Sequence, residues 1–288
     1  MKCYHHDDAD GRGAAAIISM FEEDRNHENY IEVDYVQELP IDKISKDEKV
    51  YFVDYSFSEK TLPSLKKILE ITNNVIWIDH HQSSLDLIKA HKELDDIRGI
   101  RYNGISGMAL AYMYLYDKLD MREVPQYIQR VSDFDCFKFE LGVDSEHFIL
   151  GLQSYKYGPL DEIWRTLYLD SENGDALVES MIHTGRIIKA YNTNADADYL
   201  AKYGFEGELD GYSAIILNKR CYSAAFGDEI NKHDIACCFW LVGDSYTHSV
   251  FTTKKDIDCE KLAKKFGGGG HKGAAGFTTK DIIFKIKK

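Results

Sequence analysis

Four short apolar runs in the first eighty residues limit what this chain can fold into. KCYH (2–5), IEVDYV (31–36), VYFVDYS (50–56) and NVIWID (74–79) have the length and composition of buried strands. Between them, GRGAAAIISMFEE (11–23) and SEKTLPSLKKILEI (58–71) carry helical spacing, with Ser58 the expected N-cap of the second. Strands and helices alternating at this interval predict an α/β fold: a largely parallel sheet with helices on both faces. Further helices are expected at 106–119, 124–134 and 172–192.

Beyond about residue 199 the pattern changes. YSAIILN (212–218), DIACCFWLVG (234–243) and YTHSVFTT (246–253) read as strands of a second sheet, with helices near 223–232 and 258–265 and a turn at DGY (210–212). A domain over 1–195, a helical connector over 172–198 and a smaller α/β domain over 205–288 are expected. Charge divides the same way. From residue 211 onward 13 Lys/Arg face 8 Asp/Glu, whereas 22 basic residues face 40 acidic ones before it. An acidic first part argues against a long electrostatic track for polymeric nucleic acid and suits cation binding. The basic last part suits an anionic substrate.

Other classes are disfavoured. No apolar run approaches the roughly 18–20 residues a membrane span needs, and charge interrupts MKCYHHDDADG before a secretory apolar segment forms. A cytoplasmic location is therefore expected, and the six cysteines, which show no C-x-x-C spacing, are expected to be buried, reduced thiols. Oligomeric state is left open.

Three expected strands end in acids or imidazoles: His6, Asp8 and Asp10 after the first, Asp54 after the third, Asp79, His80 and His81 after the fourth. Each alone could be a helix cap. Together they fall at the carboxyl edge of a parallel sheet, where ligands collect. So many carboxylates at one edge would repel or stay desolvated unless something positive sits among them. One cation would serve, and two fit the number of donors better. Oxygen and imidazole donors without thiolate favour manganese, magnesium or iron over structural zinc. A carboxylate shared between two such ions would activate water for in-line attack on phosphorus, so phosphoester or phosphoanhydride hydrolysis is the chemistry indicated.

H-x-D-x-D-G at 6–11, the isolated Asp54, D-H-H at 79–81, an acid in VSDFDCF (131–137) and FGGGGHKGAAGF (266–277) together resemble the ordered motifs of the DHH phosphoesterase superfamily with its DHHA1 domain. The resemblance implies two divalent cations, most readily Mn²⁺. His6, Asp8 and Asp54 would hold the first, and Asp10, Asp54, His80 and Asp133 the second, with Asp54 as the bridge. Asp135 rivals Asp133, and His5 rivals His6. His81 would meet the scissile phosphate and Asp79 would orient an imidazole. Ser106 would either simply cap a helix or open one whose N–H groups face phosphate.

The glycine segment lacks periodicity and is expected to be an internal loop, running into a strand over 278–286. Its backbone N–H groups, at Gly268, Gly269 and Gly270, and His271 would cradle a phosphate. An anion loop on one domain and a metal site on the other favour short substrates. The leading expectation is a metal-dependent nuclease on short oligonucleotides or dinucleotides, resembling the nano-RNase branch. Alternatives are a bisphosphonucleotide (pAp) phosphatase, a cyclic or linear dinucleotide hydrolase, a pyrophosphatase and a non-enzymatic nucleotide-binding regulatory protein.

Overall fold

In a computed structural model, residues 1–34, 39–171 and 175–287 are described. The chain divides into two units, Met1–Ile188 and Lys189–Lys288. The division falls inside a long helix, earlier than the sequence boundary.

The first unit runs β1 (Lys2–His5), α1 (Ala9–Phe21), β2 (Tyr30–Glu32), β3 (Val50–Val53), α2 (Leu62–Ile71), β4 (Val75–Ile78), α3 (Gln82–Ala90), α4 (Gly107–Leu115), α5 (Gln126–Asp135), α6 (Asp144–Leu152), α7 (Glu162–Asp170) and the first half of α8 (Ala176–Tyr203). Its sheet has the order β2-β1-β3-β4, and every pairing is parallel. Alternation along each strand splits the core into two layers. Cys3, Tyr51, Val53, Ile76 and Ile78 face α1, α4 and α5, while Tyr4, Phe52, Val75 and Trp77 face α2 and α3. Trp77 is fully buried, and its indole N–H donates to the Tyr55 carbonyl at 3.0 Å. Truncating such a ring typically costs about 3–5 kcal/mol.

This topology sets where ligands can bind. From β1 the chain turns to β2 on one side and to β3 and β4 on the other, leaving a crevice outside the carboxyl ends of β1 and β3. The register brings the ends level: His5 pairs with Val53 and Val53 with Ile78, so His6, Asp54 and Asp79 emerge side by side.

Several boundaries differ from those read in the sequence. Ser58 is not the N-cap of α2. The helix begins after Thr61, with Pro63 in its first turn, where a missing N–H costs nothing, and Thr61 Oγ1 accepts from the Ser58 N–H at 2.8 Å. Residues 35 and 36 of the expected second strand, and 172–174 of the connector, lie outside the described residues.

The second unit holds β5 (Phe205–Leu209), β6 (Tyr212–Asn218), β7 (Ile235–Val242), β8 (Ser245–Phe251), α9 (Cys259–Lys265), β9 (Gly269–His271), β10 (Ala274–Thr279) and β11 (Lys285–Ile286). The sheet order is β11-β5-β6-β7-β8-β10-β9. Only β6 and β7 run parallel among these neighbours. Asp210 and Gly211 both have positive φ, 52° and 87°, closing the β5–β6 hairpin as the DGY signal predicts. The expected helix over 223–232 is a 3₁₀ segment broken at Gly227.

The glycine segment departs most from expectation. Instead of an open loop, Gly269–His271 forms the edge strand β9 against Ala274–Gly276, and the expected strand over 278–286 is divided between β10 and β11. A Cβ at Gly268 would lie 2.1 Å from the Gly276 carbonyl oxygen, and Gly270 has φ +142° with Ala275 behind it. Close backbone approach therefore accounts for these two glycines.

Candidate metal centre

Apart from Asp133 and its rival Asp135, which lie at the end of α5, each sequence-predicted group of the first unit follows a strand of the parallel sheet. Asp8 caps α1, accepting from the Gly11 N–H at 2.9 Å, and its other oxygen lies 2.9 Å from His6 Nδ1. His5 turns inward, 1% exposed, with Nδ1 2.8 Å from the His6 carbonyl oxygen. Asp10 sits in the first turn of α1 and accepts the Gly107 and Met108 N–H groups of α4 at 2.6 and 2.8 Å. Ser106 caps α4. The free N–H groups expected to face phosphate are thus already directed at a carboxylate, and Ser106 has the simple capping role.

Asp54 leaves β3 with φ +52°, a left-handed backbone that is costly for a residue with a Cβ and common at functional sites. Its N–H bonds the Ile78 carbonyl at 2.9 Å, fixing the turn against β4. Gly107 allows α4 to approach: a Cβ there would lie 2.7 Å from the Asp54 Cβ.

His80 is the hub. Its Nε2 lies 3.2 Å from Asp54 Oδ1, 3.3 Å from Asp135 Oδ2 and 3.7 Å from Asp10 Oδ2. Its Nδ1 lies 4.0 Å from the Cys136 thiol. Asp54 Oδ2 is 3.9 Å from His6 Nδ1. Asp79 Oδ1 is 2.8 Å from His81 Nδ1, and its other oxygen accepts from the Ser84 hydroxyl, whose oxygen lies 3.0 Å from Ser56 Oγ. Asp79, wholly buried, therefore holds the His81 ring. Among the described residues, three donor groups are close enough to share an ion: His6, Asp8 and Asp54; Asp54, His80 and His81; His80, Asp135 and Cys136.

The preference for Asp133 over Asp135 is not supported by this geometry. Asp133 is buried with both oxygens engaged, Oδ1 by the Glu140 N–H at 2.7 Å and Oδ2 by the Leu141 N–H at 3.2 Å and the Ser145 hydroxyl at 2.5 Å. It holds the loop after α5. Asp135 is the acid beside His80. Cys136 had no sequence signal at all, since a single cysteine without a partner motif reads as a buried thiol.

The electrostatics of the cluster suit a cation. Asp54 Oδ1 and Asp135 Oδ2 are buried without a hydrogen-bond partner among the described residues. Burial first, then the charges of Asp10, Asp8, Asp135 and Asp79, lifts the Asp54 carboxyl well above its ordinary range. Burial and then Asp10, Asp8 and Asp79 push Asp135 up to about 9. Burial likewise raises Asp10, against the opposing pull of His80. Asp8 stays below its ordinary value because hydrogen bonds from His6 and Gly11 outweigh its burial. Unpartnered oxygens that imidazole alone cannot satisfy are what a divalent cation would satisfy, and oxygen and nitrogen donors fit a hard or borderline ion.

Arg12 and Arg101 serve the scaffold. Arg12 pairs with Glu32 at 2.8 Å and lies over the Tyr157 ring; Arg101 donates to the Ile97 carbonyl at 2.7 Å and lies over Trp77. Gly268, Gly269, Gly270 and His271 belong to the second unit, where His271 and Lys272 are exposed. None of the six cysteines is disulfide-bonded, and among the described residues no helix is long and apolar enough to cross a membrane.

No protein-family model matches the chain. It is 24% identical to the uncharacterized protein R106 of Acanthamoeba polyphaga mimivirus, over 97% of this chain and 67% of that protein. Among solved structures, the pGpG-specific phosphodiesterase PggH of Vibrio cholerae matches at a TM-score of 0.55 and 11% identity, covering 96% of this chain and 92% of that one. An exopolyphosphatase-related protein of Bacteroides fragilis matches at 0.50 and 13%, covering 98% and 87%. The chain therefore has the two-part α/β fold of this phosphodiesterase and this exopolyphosphatase-related protein.

Proposed function

We propose that the first unit is a divalent-metal-dependent phosphoesterase acting on short nucleotides. The observation that carries this reading is the convergence of Asp54 Oδ1 and Asp135 Oδ2, both buried and without a hydrogen-bond partner among the described residues, on His80 Nε2 at 3.2 and 3.3 Å. Asp54, His80 and Asp135 would hold one cation. His6, Asp8 and Asp54 would hold a second, leaving Asp54 between the two. Asp10 stands behind the first group and ties it to α4. Cations bound there would supply charge stabilisation for a phosphoryl oxygen and activation of a water.

The protein's own groups supply the rest. His81, oriented by Asp79, is placed to stabilise charge on the phosphoryl group or to protonate the departing oxygen. Burial works against the imidazolium, but the Asp79 hydrogen bond and charge prevail and raise His81 above the usual histidine value. That suits a proton donor near neutrality. Lys272, His271 and the Gly269 backbone in the second unit are proposed to bind a phosphate, a role supported by the exposure of His271 and Lys272 and by the motif.

Short substrates are favoured by the acidic surplus before residue 211, which opposes a long polyanion. The pGpG specificity of the similarly folded phosphodiesterase makes pGpG the first substrate to test. The protein would be assayed with Mn²⁺ against linear and cyclic dinucleotides, longer RNA and DNA, bisphosphonucleotide and pyrophosphate. Turnover of short phosphodiesters is expected; turnover of pyrophosphate alone would overturn the nuclease reading.

A further inference from the structure

Directly after Asp135 and Cys136 the chain passes through Phe137, Lys138 and Phe139. Both phenylalanines have left-handed backbone, with φ +53° and +52°, which disfavours any residue with a Cβ. Phe137 is 80% exposed and Phe139 43%. Their rings meet edge to face, with centroids 6.3 Å apart, and Phe139 stands perpendicular to Phe134 at 6.2 Å.

The loop is held firmly. The Lys138 and Phe139 N–H groups point to the Asp133 carbonyl at 3.0 and 3.4 Å, and the Asp133 carboxylate takes Glu140, Leu141 and Ser145. A buried acid thus anchors a loop that follows directly on Asp135 and Cys136 and displays two aromatic rings. Folding alone gives no reason for this arrangement. It leaves apolar area in water and uses an unfavourable backbone twice, a combination that marks contact surfaces.

We propose that Phe137 and Phe139 form a stacking platform for a nucleobase of the substrate whose phosphoester lies at Asp54, His80 and Asp135. This rests on the phosphoesterase reading above. A nucleotide held by its phosphate carries its base only a few bonds away, and aromatic faces accept any base through stacking. Lys138, between the two phenylalanines in sequence and exposed, offers a cation to a neighbouring phosphate. A platform built on stacking selects for the presence of a base rather than for its identity.

The test is a titration of the full chain with a 5′-phosphorylated dinucleotide containing 2-aminopurine, in Ca²⁺. It is paired with hydrolysis in Mn²⁺ of the same dinucleotide and of its abasic analogue. Stacking should quench the 2-aminopurine fluorescence. Phe137→Ala and Phe139→Ala should each weaken binding about tenfold and reduce the preference for the dinucleotide over the abasic analogue by a similar factor. Phe137→Trp should retain both. Phe137→Gly should weaken binding without lowering the melting temperature, because glycine relieves the left-handed backbone.

Variants that bind and discriminate like the wild type would refute the platform and leave the rings to another contact, such as a protein partner. Equal losses on both substrates would refute it as well, by revealing a structural effect. If the wild type hydrolyses no nucleotide, the phosphoesterase reading fails on its own. The quench titration still decides the platform, which falls if no quench is seen.

Discussion

The strand-end cluster of the first unit and the glycine segment of the second carry the two strongest motifs of the sequence, and the structure treats them differently. At the cluster, folding leaves polar atoms over: Asp54 Oδ1 and Asp135 Oδ2 are buried without a hydrogen-bond partner among the described residues, and Asp54 has an unfavourable backbone. In the glycine segment folding uses much of the motif up, because Gly268 and Gly270 are needed where β9 packs on β10. A motif residue that folding explains is weaker testimony to a ligand than one that folding leaves unsatisfied. By that standard the cluster speaks for itself, while the glycine segment depends on Gly269, His271 and Lys272.

The largest expected effect breaks the cluster. Asp54→Asn should lower kcat/KM with Mn²⁺ by roughly a thousandfold or more and abolish the rise in melting temperature that Mn²⁺ produces. In metal-free buffer the same variant should melt no lower than the wild type, because one buried like charge is gone and Asn tolerates left-handed backbone. A retained Mn²⁺-induced shift would remove Asp54 from the centre.

Next, Asp133 and Asp135 should part company. Asp133→Ala should destabilise the fold by about 3 kcal/mol, read by denaturant unfolding, since two backbone N–H groups and a hydroxyl lose a charged acceptor. Asp135→Asn should leave stability near that of the wild type and eliminate the Mn²⁺ response. The opposite pattern would restore Asp133 as the metal-facing acid.

The glycine segment can be sharpened in the same way. Gly268→Ala should cost about 1–3 kcal/mol through overpacking. Gly269 has open space at its Cβ position, so Gly269→Ala should fold normally. A rise in KM with Gly269→Ala at unchanged melting temperature would support phosphate binding there, whereas wild-type kinetics would confine the segment to packing.

The smallest effect concerns pH in the second unit. His248 is wholly buried, stacked on Phe277 at 4.8 Å, with Nε2 2.9 Å from the Thr279 hydroxyl. Burial lowers its pKa to about 4. Between that value and the ordinary histidine value of about 6.5, the unfolded chain binds the proton and the folded chain does not. Stability contributed by neutral His248 is therefore full above pH 6.5 and falls as pH drops toward 4. His248→Gln should flatten that slope in melting temperatures taken from pH 7 to pH 5, and an unchanged slope would assign it to other groups.

Much of the fold was legible because local patterns and tertiary layers agree. Two-residue alternation in β3 and β4 sends Tyr51 and Ile76 to one core layer and Phe52 and Trp77 to the other. Elements without a clean period were missed. FEGEL, the strand β5, alternates acids around a glycine, and the nine-residue helices α6 and α7 bury only a few residues each.

By itself the sequence determined that acids and imidazoles would gather at one edge of a parallel sheet, because strands that pair in register deliver the residues that follow them to the same level. Only the tertiary structure decided which acid joins them. Asp133 and Asp135 are two residues apart at the end of α5, so their side chains point roughly 200° apart around the helix. One turns into the loop that it anchors and the other toward His80. No spacing rule can choose between them, because the choice depends on how α5 is rotated against the sheet, and packing sets that rotation.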